Sequence, residues 1–215
     1  MRGPYPVAIL LGVLLMGLST DAQAQLVRDA GVKVGLTSAS ATDTISDLDR
    51  RTGLRAMAFV EWLDAPLFSV VTELGYTQRG FSETAEQRDE SGEVVQNVVA
   101  NTRLDYVTGA VLAKVRYPSA GLMPYAMAGP RIDALMNREA GQFEWVGGSA
   151  ESELASLYES TALGATVAAG VEVRRGLPFS VSVEGRYEHD LTDSTPHVPR
   201  TVRNNAFSLV LGVGF

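Results

Sequence analysis

The residues best able to do chemistry in this chain stand two apart. Glu184, Arg186 and Glu188 are spaced so that, on an extended strand, all three share one face. Two carboxylates on one face are raw material for general acid–base work. With an arginine between them, they suit an ion-pair ladder better. The two histidines, His189 and His197, are candidate bases, yet no nucleophile or orienting group lies near either in a recognisable local pattern. The chain has no Cys, which excludes a disulfide scaffold, a thiolate metal site, a cysteine nucleophile and a lipoprotein anchor. The residues therefore predict no catalytic group, no metal and no cofactor.

Composition narrows the class. Eighteen Lys and Arg against 25 Asp and Glu leave a net charge of −7 over 215 residues, the wrong sign for a protein that neutralises phosphates, so no nucleic-acid partner is expected. A hydrophobic content of 46% is too high for a disordered chain. At the start, Arg2 precedes the apolar stretch Val7–Leu18, and Ala22-Gln23-Ala24 follows it. This order predicts a secretory signal peptide over residues 1–24, cut before Gln25. Its apolar core is shorter than the roughly 20 residues of a membrane-spanning helix. Residues 25–215 read as one domain.

That domain alternates with a period of two. Phe179–Leu191, Leu163–Val173, Phe68–Tyr76 and the run from Phe207 to Phe215 are the clearest cases; Ala30–Thr37, Leu54–Trp62, Val107–Tyr117 and Leu122–Met136 follow with more errors. Pro124 and Pro130 both fall in the last of these, where a strand tolerates proline poorly. The intervening gaps are long (Ser38–Arg51), short (Asp64–Pro66), long (Ser82–Asn101), short (Pro118–Gly121), long (Arg138–Ser160), short (Arg175–Leu177) and long (Thr192–Arg203). Tight turns at one end and loops at the other make an all-β, eight-stranded antiparallel up-and-down barrel.

Alternation alone does not say which face meets water. A soluble exterior is dense in Lys and Glu, whereas here the polar positions hold Gly, Ala, Ser and Thr with isolated charges of both signs. Lys33, Arg55, Glu61, Glu73, Lys114, Arg131, Glu172, Glu184 and Arg186, with Arg116, Asp133 and Arg174, suit the cramped inside of an eight-stranded cylinder. Trp62, Phe68, Tyr117, Phe179 and Phe215 lie on the apolar parity, each close to a short turn or to residue 215, as an interfacial aromatic girdle requires; Tyr76 and Tyr187 suit the other rim. The expectation is a transmembrane barrel, apolar outward, closed because lipid solvates no open strand edge. Ionisable groups inside a membrane suggest a proton path, a gated pore or a ligand site. Eight strands leave no aqueous channel, so a structural ion-pair network filling the lumen is the expectation.

Several segments resemble a known family: Gly31-Val32-Lys33-Val34-Gly35-Leu36, Thr72 to Gly80, Tyr106 to Lys114, Ala128-Gly129-Pro130, Gly170-Val171-Glu172 and Leu211-Gly212-Val213-Gly214-Phe215. In this order they resemble the PorT-like outer membrane protein β-barrel domain of Bacteroidetes-type bacteria. The chain departs from that pattern at Ala110, where proline is frequent, and in the length of Arg138–Ser160. The resemblance implies an outer-membrane barrel of porin-like or PorT-like kind. Phe215 resembles the terminal signal read by the barrel-assembly machinery, which implies passage through the periplasm.

The loops bear on partners. Ser82–Asn101 and Arg138–Ser160 each carry −4, Ser38–Arg51 carries −1 and Thr192–Arg203 carries +1, so the acidity gathers at the long-loop end. Facing outward, that end would meet lipopolysaccharide, with the lipid bilayer around the wall. No loop has the spaced ligands and glycine turn of a calcium site. Glu151–Glu159 suggests a short helical turn, and Trp145 before it is a possible contact for an unknown ligand. The function expected is a non-enzymatic barrel, structural or presenting loops for binding. A small-molecule binding or transport accessory at the lumen mouth is the alternative, and a lipid-modifying or proteolytic enzyme the third reading.

Overall fold

The computed structural model describes residues 27–43, 49–63, 65–88, 93–117, 119, 121–145, 148–151, 160–174, 178–192 and 202–215. The expected signal peptide, the expected helical turn beyond Glu151 and His197 lie outside them.

Eight long strands close a barrel: β1 (Val27–Asp43), β2 (Asp49–Trp62), β3 (Phe68–Arg88), β4 (Val94–Arg116), β5 (Leu122–Glu139), β8 (Thr161–Val173), β9 (Ser180–Asp190) and β10 (Val202–Gly214), with a two-stranded hairpin of β6 (Gln142–Trp145) and β7 (Gly148–Glu151) beside it. Every neighbour pair is antiparallel, and β1 closes the cylinder against β10. At the seam Phe215 and Ala30 exchange backbone hydrogen bonds of 2.8 and 3.2 Å. Closure leaves no unpaired edge in the wall, which is what a backbone surrounded by lipid needs.

The pleat sorts the side chains as the alternation predicts. Outward positions are apolar and open, with Val34 55% and Leu209 62% exposed, while the residues beside them, Lys33 and Ser208, are 4% exposed. Nothing but lipid makes that arrangement stable, since the apolar wall is outside and the charges are within.

The strands are longer than the alternation alone suggests. The stretches read as loops at Ser38–Arg51 and Ser82–Asn101 are largely strand: β1 continues to Asp43, and the β3–β4 ladder runs to Arg88 and Val94. At 21 and 23 residues, β3 and β4 exceed the roughly 9–11 residues that cross a bilayer. Past that span the apolar side chains change faces: Phe81, Ala100 and Leu104 are buried inside while Ser82, Asn101 and Arg103 take the outward positions, so the outward apolar alternation that marks a strand fades while the hydrogen-bonded ladder continues. The stretch Arg138–Ser160 likewise contains a hairpin, and Gly141 anchors its start by donating to Thr102 Oγ1 at 3.2 Å.

β5 forms despite its two prolines. Its pairing with β8 is continuous through Pro124 and Pro130. On the β4 side it skips from Ala110–Arg131 to Ala113–Ala128, so the ladder is interrupted beside Pro130, which brings no N–H.

Candidate functional site

Alternation on seven of the eight wall strands sends a charged side chain into the lumen, and the charges gather in three layers. In the layer nearest the short turns, Glu61 accepts hydrogen bonds from Lys114 Nζ (2.7 Å), Arg116 Nη2 (2.5 Å) and Ser69 Oγ (2.9 Å), with Arg28 Nε 3.4 Å away. Lys114 also reaches Glu172 at 2.9 Å. Asp29 pairs with Arg174 and accepts from Ser180 Oγ at 2.9 Å.

In the middle layer Lys33 Nζ stands 2.8 Å from Glu73 and 2.9 Å from Glu184. Arg186 grips both carboxylates, with Nη1 2.6 Å from Glu73 Oε2 and Nη2 2.5 Å from Glu184 Oε1. The hydroxyl of Tyr125 donates to Glu184 at 3.0 Å. In the layer nearest the long loops, Glu188 faces Arg55 (2.5 Å), Arg79 (2.9 Å) and Arg131 (3.3 Å). Arg79 and Arg131 each reach Asp133 at 2.8 Å, Arg131 pairs with Asp190, and Thr108 and Asn204 donate to Asp133 and Asp190.

Each layer nearly balances its own charge. The middle one holds two cations and two anions, the one near the loops three of each, and the one near the turns four cations against three anions. Buried charges persist only when paired and hydrogen-bonded, and a multidentate arrangement satisfies most donors and acceptors at once. Between the layers sits an apolar cluster of Phe59, Val71, Ala110, Leu112, Tyr125, Met127 and Ala168. The ring of Phe59 lies 5.2 Å from Lys33 Nζ and that of Tyr125 4.5 Å from Lys114 Nζ, so aromatic faces add to the attraction on both cations.

Inward-facing glycines make the room. A Cβ on Gly214 would stand 2.7 Å from both Asp29 carboxylate oxygens, and one on Gly170 would stand 2.7 Å from the Tyr125 ring. A void of about 10 Å³ remains between the lower layers, lined by Asp29, Lys33, Lys114 and Glu172 among others. That is space for one water.

Of the twelve residues assigned to the lumen from the sequence, eleven are placed inside it and buried, and Arg174 stands at its rim with the side chain 39% exposed. Arg28, Asp29, Arg79 and Asp190 join them without having been singled out. Arg79 continues the parity of Glu73 and Thr77 beyond Tyr76, and Asp190 lies within the Phe179–Leu191 alternation on the same face as Glu184 and Arg186. Leu112 and Val210 also point inward, so the lumen is not lined by small and charged residues alone.

On the outer wall, Phe68, Tyr117 and Phe215 are exposed near the short turns, Phe179 packs against Phe215 with ring centroids 6.4 Å apart, and Trp62 donates its indole N–H to Thr72 Oγ1 at 2.8 Å. At the opposite rim the ring of Tyr187 packs at a tilt against that of Phe207, centroids 5.7 Å apart, and its hydroxyl lies 3.3 Å from Asn205 Oδ1. His189 Nδ1 lies 2.6 Å from that same oxygen. Trp145 ends β6, and the described residues leave its side chain out.

Residues 22–195 match the model of the family described as "Outer membrane protein beta-barrel domain". No curated protein matches the chain. Solved structures similar to it include Neisserial surface protein A (14% identity, 86% of this chain and 97% of that one, TM-score 0.47). The attachment invasion locus protein Ail of Yersinia pestis, solved with the heparin analogue sucrose octasulfate, is similar at 14% identity over 87% of this chain and 98% of that one, TM-score 0.42. The outer membrane protease OmpT from Escherichia coli is similar at 9% identity over 87% and 95%, TM-score 0.46.

Proposed function

The chain belongs to the family of outer membrane protein β-barrel domains, and from that premise we propose that it is a non-enzymatic, axially sealed barrel of the PorT-like kind that presents its long-loop end for binding. It sits in the outer membrane as a closed eight-stranded cylinder. The short turns face the periplasm, with Val27 at the start of β1 and Phe215 after β10 on that side, and the long-loop end with its protruding β-hairpins faces outward. Phe215 is the residue offered to the assembly machinery, and lipopolysaccharide is the lipid met at the outer rim.

The observation that carries this reading is the lumen. Three nearly charge-balanced layers and an apolar cluster occupy it, and the void between the lower layers has room for one water. A diffusion path along the axis would have to break several buried ion pairs at once, each costly to separate. The same packing disfavours a transport accessory that works through the barrel. Against an enzyme stands the setting of His189, whose Nδ1 engages Asn205 rather than a nucleophile. Reconstitution into planar bilayers tests the sealed lumen: the proposal expects no stable conductance steps, and resolved steps of uniform size would contradict it. For the enzyme arm, lipopolysaccharide incubated with the barrel should keep all its acyl chains by mass spectrometry.

A further inference from the structure

The outer wall carries a feature that the sealed lumen does not explain. Leu74, Gly109, Ile132 and Leu163 are register partners across β3, β4, β5 and β8, so they form one row on the lipid-facing surface. Gly109 leaves a notch in that row between two bulky neighbours. The adjoining row contains Val111 and Pro130, where the β4–β5 ladder is interrupted. Together these residues line a groove of about 360 Å³. This is more than twice the size of an engineered apolar cavity of about 150 Å³ that binds benzene.

One outward position further toward the long loops, the same strands change character. Tyr76 accepts hydrogen bonds from Gln78 Nε2 at 2.9 Å and from Arg103 Nη2 at 3.1 Å, and Arg103 Nε donates to Asp105 at 2.8 Å. All four side chains lie on the outward parity, where the rest of the belt is apolar. The remaining Arg103 nitrogen, Nη1, is 3.9 Å from Glu139, and the side chain is one-third exposed. Tyr76 pairs with Val107 and Leu74 with Gly109, so the polar cluster begins about 7 Å above the groove.

An apolar trough in the belt with a guanidinium and hydroxyl at its upper end matches one kind of occupant, a lipid. We propose that the β3–β4–β5 face is a specific site for one lipopolysaccharide molecule of the outer leaflet, with an acyl chain in the Gly109 groove and a headgroup phosphate at Arg103. Acyl chains are the only apolar material at that depth, and Arg103, held by Tyr76 and Asp105, turns Nη1 outward, where a phosphate takes the place of the exposed Glu139 carboxylate at low entropic cost. The choice of lipopolysaccharide over phospholipid rests on the orientation proposed above, with this rim outward.

Substitution at Gly109 tests the site cleanly. A Cβ there meets only Ile132 Cγ2, at 3.5 Å, so Gly109→Leu fills the groove without disturbing the wall. Gly185 is a second lipid-facing glycine, on β9, where a Cβ comes no nearer than 3.9 Å to any atom, and Gly185→Leu is the control. The full barrel is extracted from outer membranes in mild detergent, folding is checked by its altered gel migration before boiling, and bound lipid is identified by native mass spectrometry. The wild type and Gly185→Leu should retain one lipopolysaccharide per barrel, while Gly109→Leu and Arg103→Gln should lose it. Equal retention by all four, or retention of phospholipid instead, overturns the proposal. Conductance plays no part in this readout, so its outcome stands apart from that of the sealed lumen.

Discussion

Glu188 on β9 and Arg55 on β2 meet across the lumen at 2.5 Å, joining strands that are three neighbours apart around the wall. The same carboxylate faces Arg79 and Arg131, so one anion holds three cations from three strands. Neutralising it leaves those buried cations short of charge. Glu188→Gln should lower stability by about 3 to 5 kcal/mol, read as an earlier urea midpoint in lipid vesicles. Replacing both partners, as in Arg55→Met with Glu188→Leu, should recover part of that loss. An effect of Glu188→Gln below about 1 kcal/mol would place the layer among weakly coupled surface pairs.

Gly170 faces the lumen with no room for a side chain. A methyl there would press within 2.5 Å of the Val183 carbonyl and 2.7 Å of the Tyr125 ring, which itself donates to Glu184. Gly170→Ala should therefore cost about 1 to 3 kcal/mol, as overpacking does, while Gly185→Ala stays near neutral. Parallel urea titrations of the two variants check the difference. Equal midpoints would mean that the wall yields more easily than the packing implies.

The lipid-facing belt sets a depth-dependent penalty. Leu209 lies near the middle of the apolar stretch of β10, and Leu209→Arg should cost about 2 to 4 kcal/mol in a bilayer. The same change at Phe215, on the aromatic rim, should cost about 1 kcal/mol or less. Reversible unfolding in vesicles measures both, and equal penalties at the two positions would contradict the depth assigned to them.

Much of this arrangement is legible in the sequence because a membrane barrel writes its inside and outside two residues apart. β9 states it plainly: Val183, Tyr187 and Leu191 outward, Glu184, Arg186 and Glu188 inward. Elsewhere the signal stops where the lipid stops. Arg79 escapes notice because the apolar alternation of β3 fades after Tyr76, although the ladder with β4 continues to Arg88. The Tyr76–Arg103–Asp105 cluster is less legible still, since it depends on pairing between β3 and β4 and sits beside a register shift between Asp105 and Tyr106. The groove needs four strands in register before Gly109 becomes a notch rather than one glycine among 21.

The central claim is that successive side chains of the wall point alternately to lipid and to a sealed interior. Because the chain has no Cys, single cysteines carrying a nitroxide spin label can be placed one at a time from Phe207 to Leu211 without background. In vesicles, labels at 207, 209 and 211 should collide with dissolved oxygen, which concentrates in lipid, while those at Ser208 and Val210 should be shielded from oxygen and from a water-soluble nickel reagent alike. Oxygen access at 208 and 210, or nickel access at Leu209, would contradict the inside-out assignment and everything derived from it.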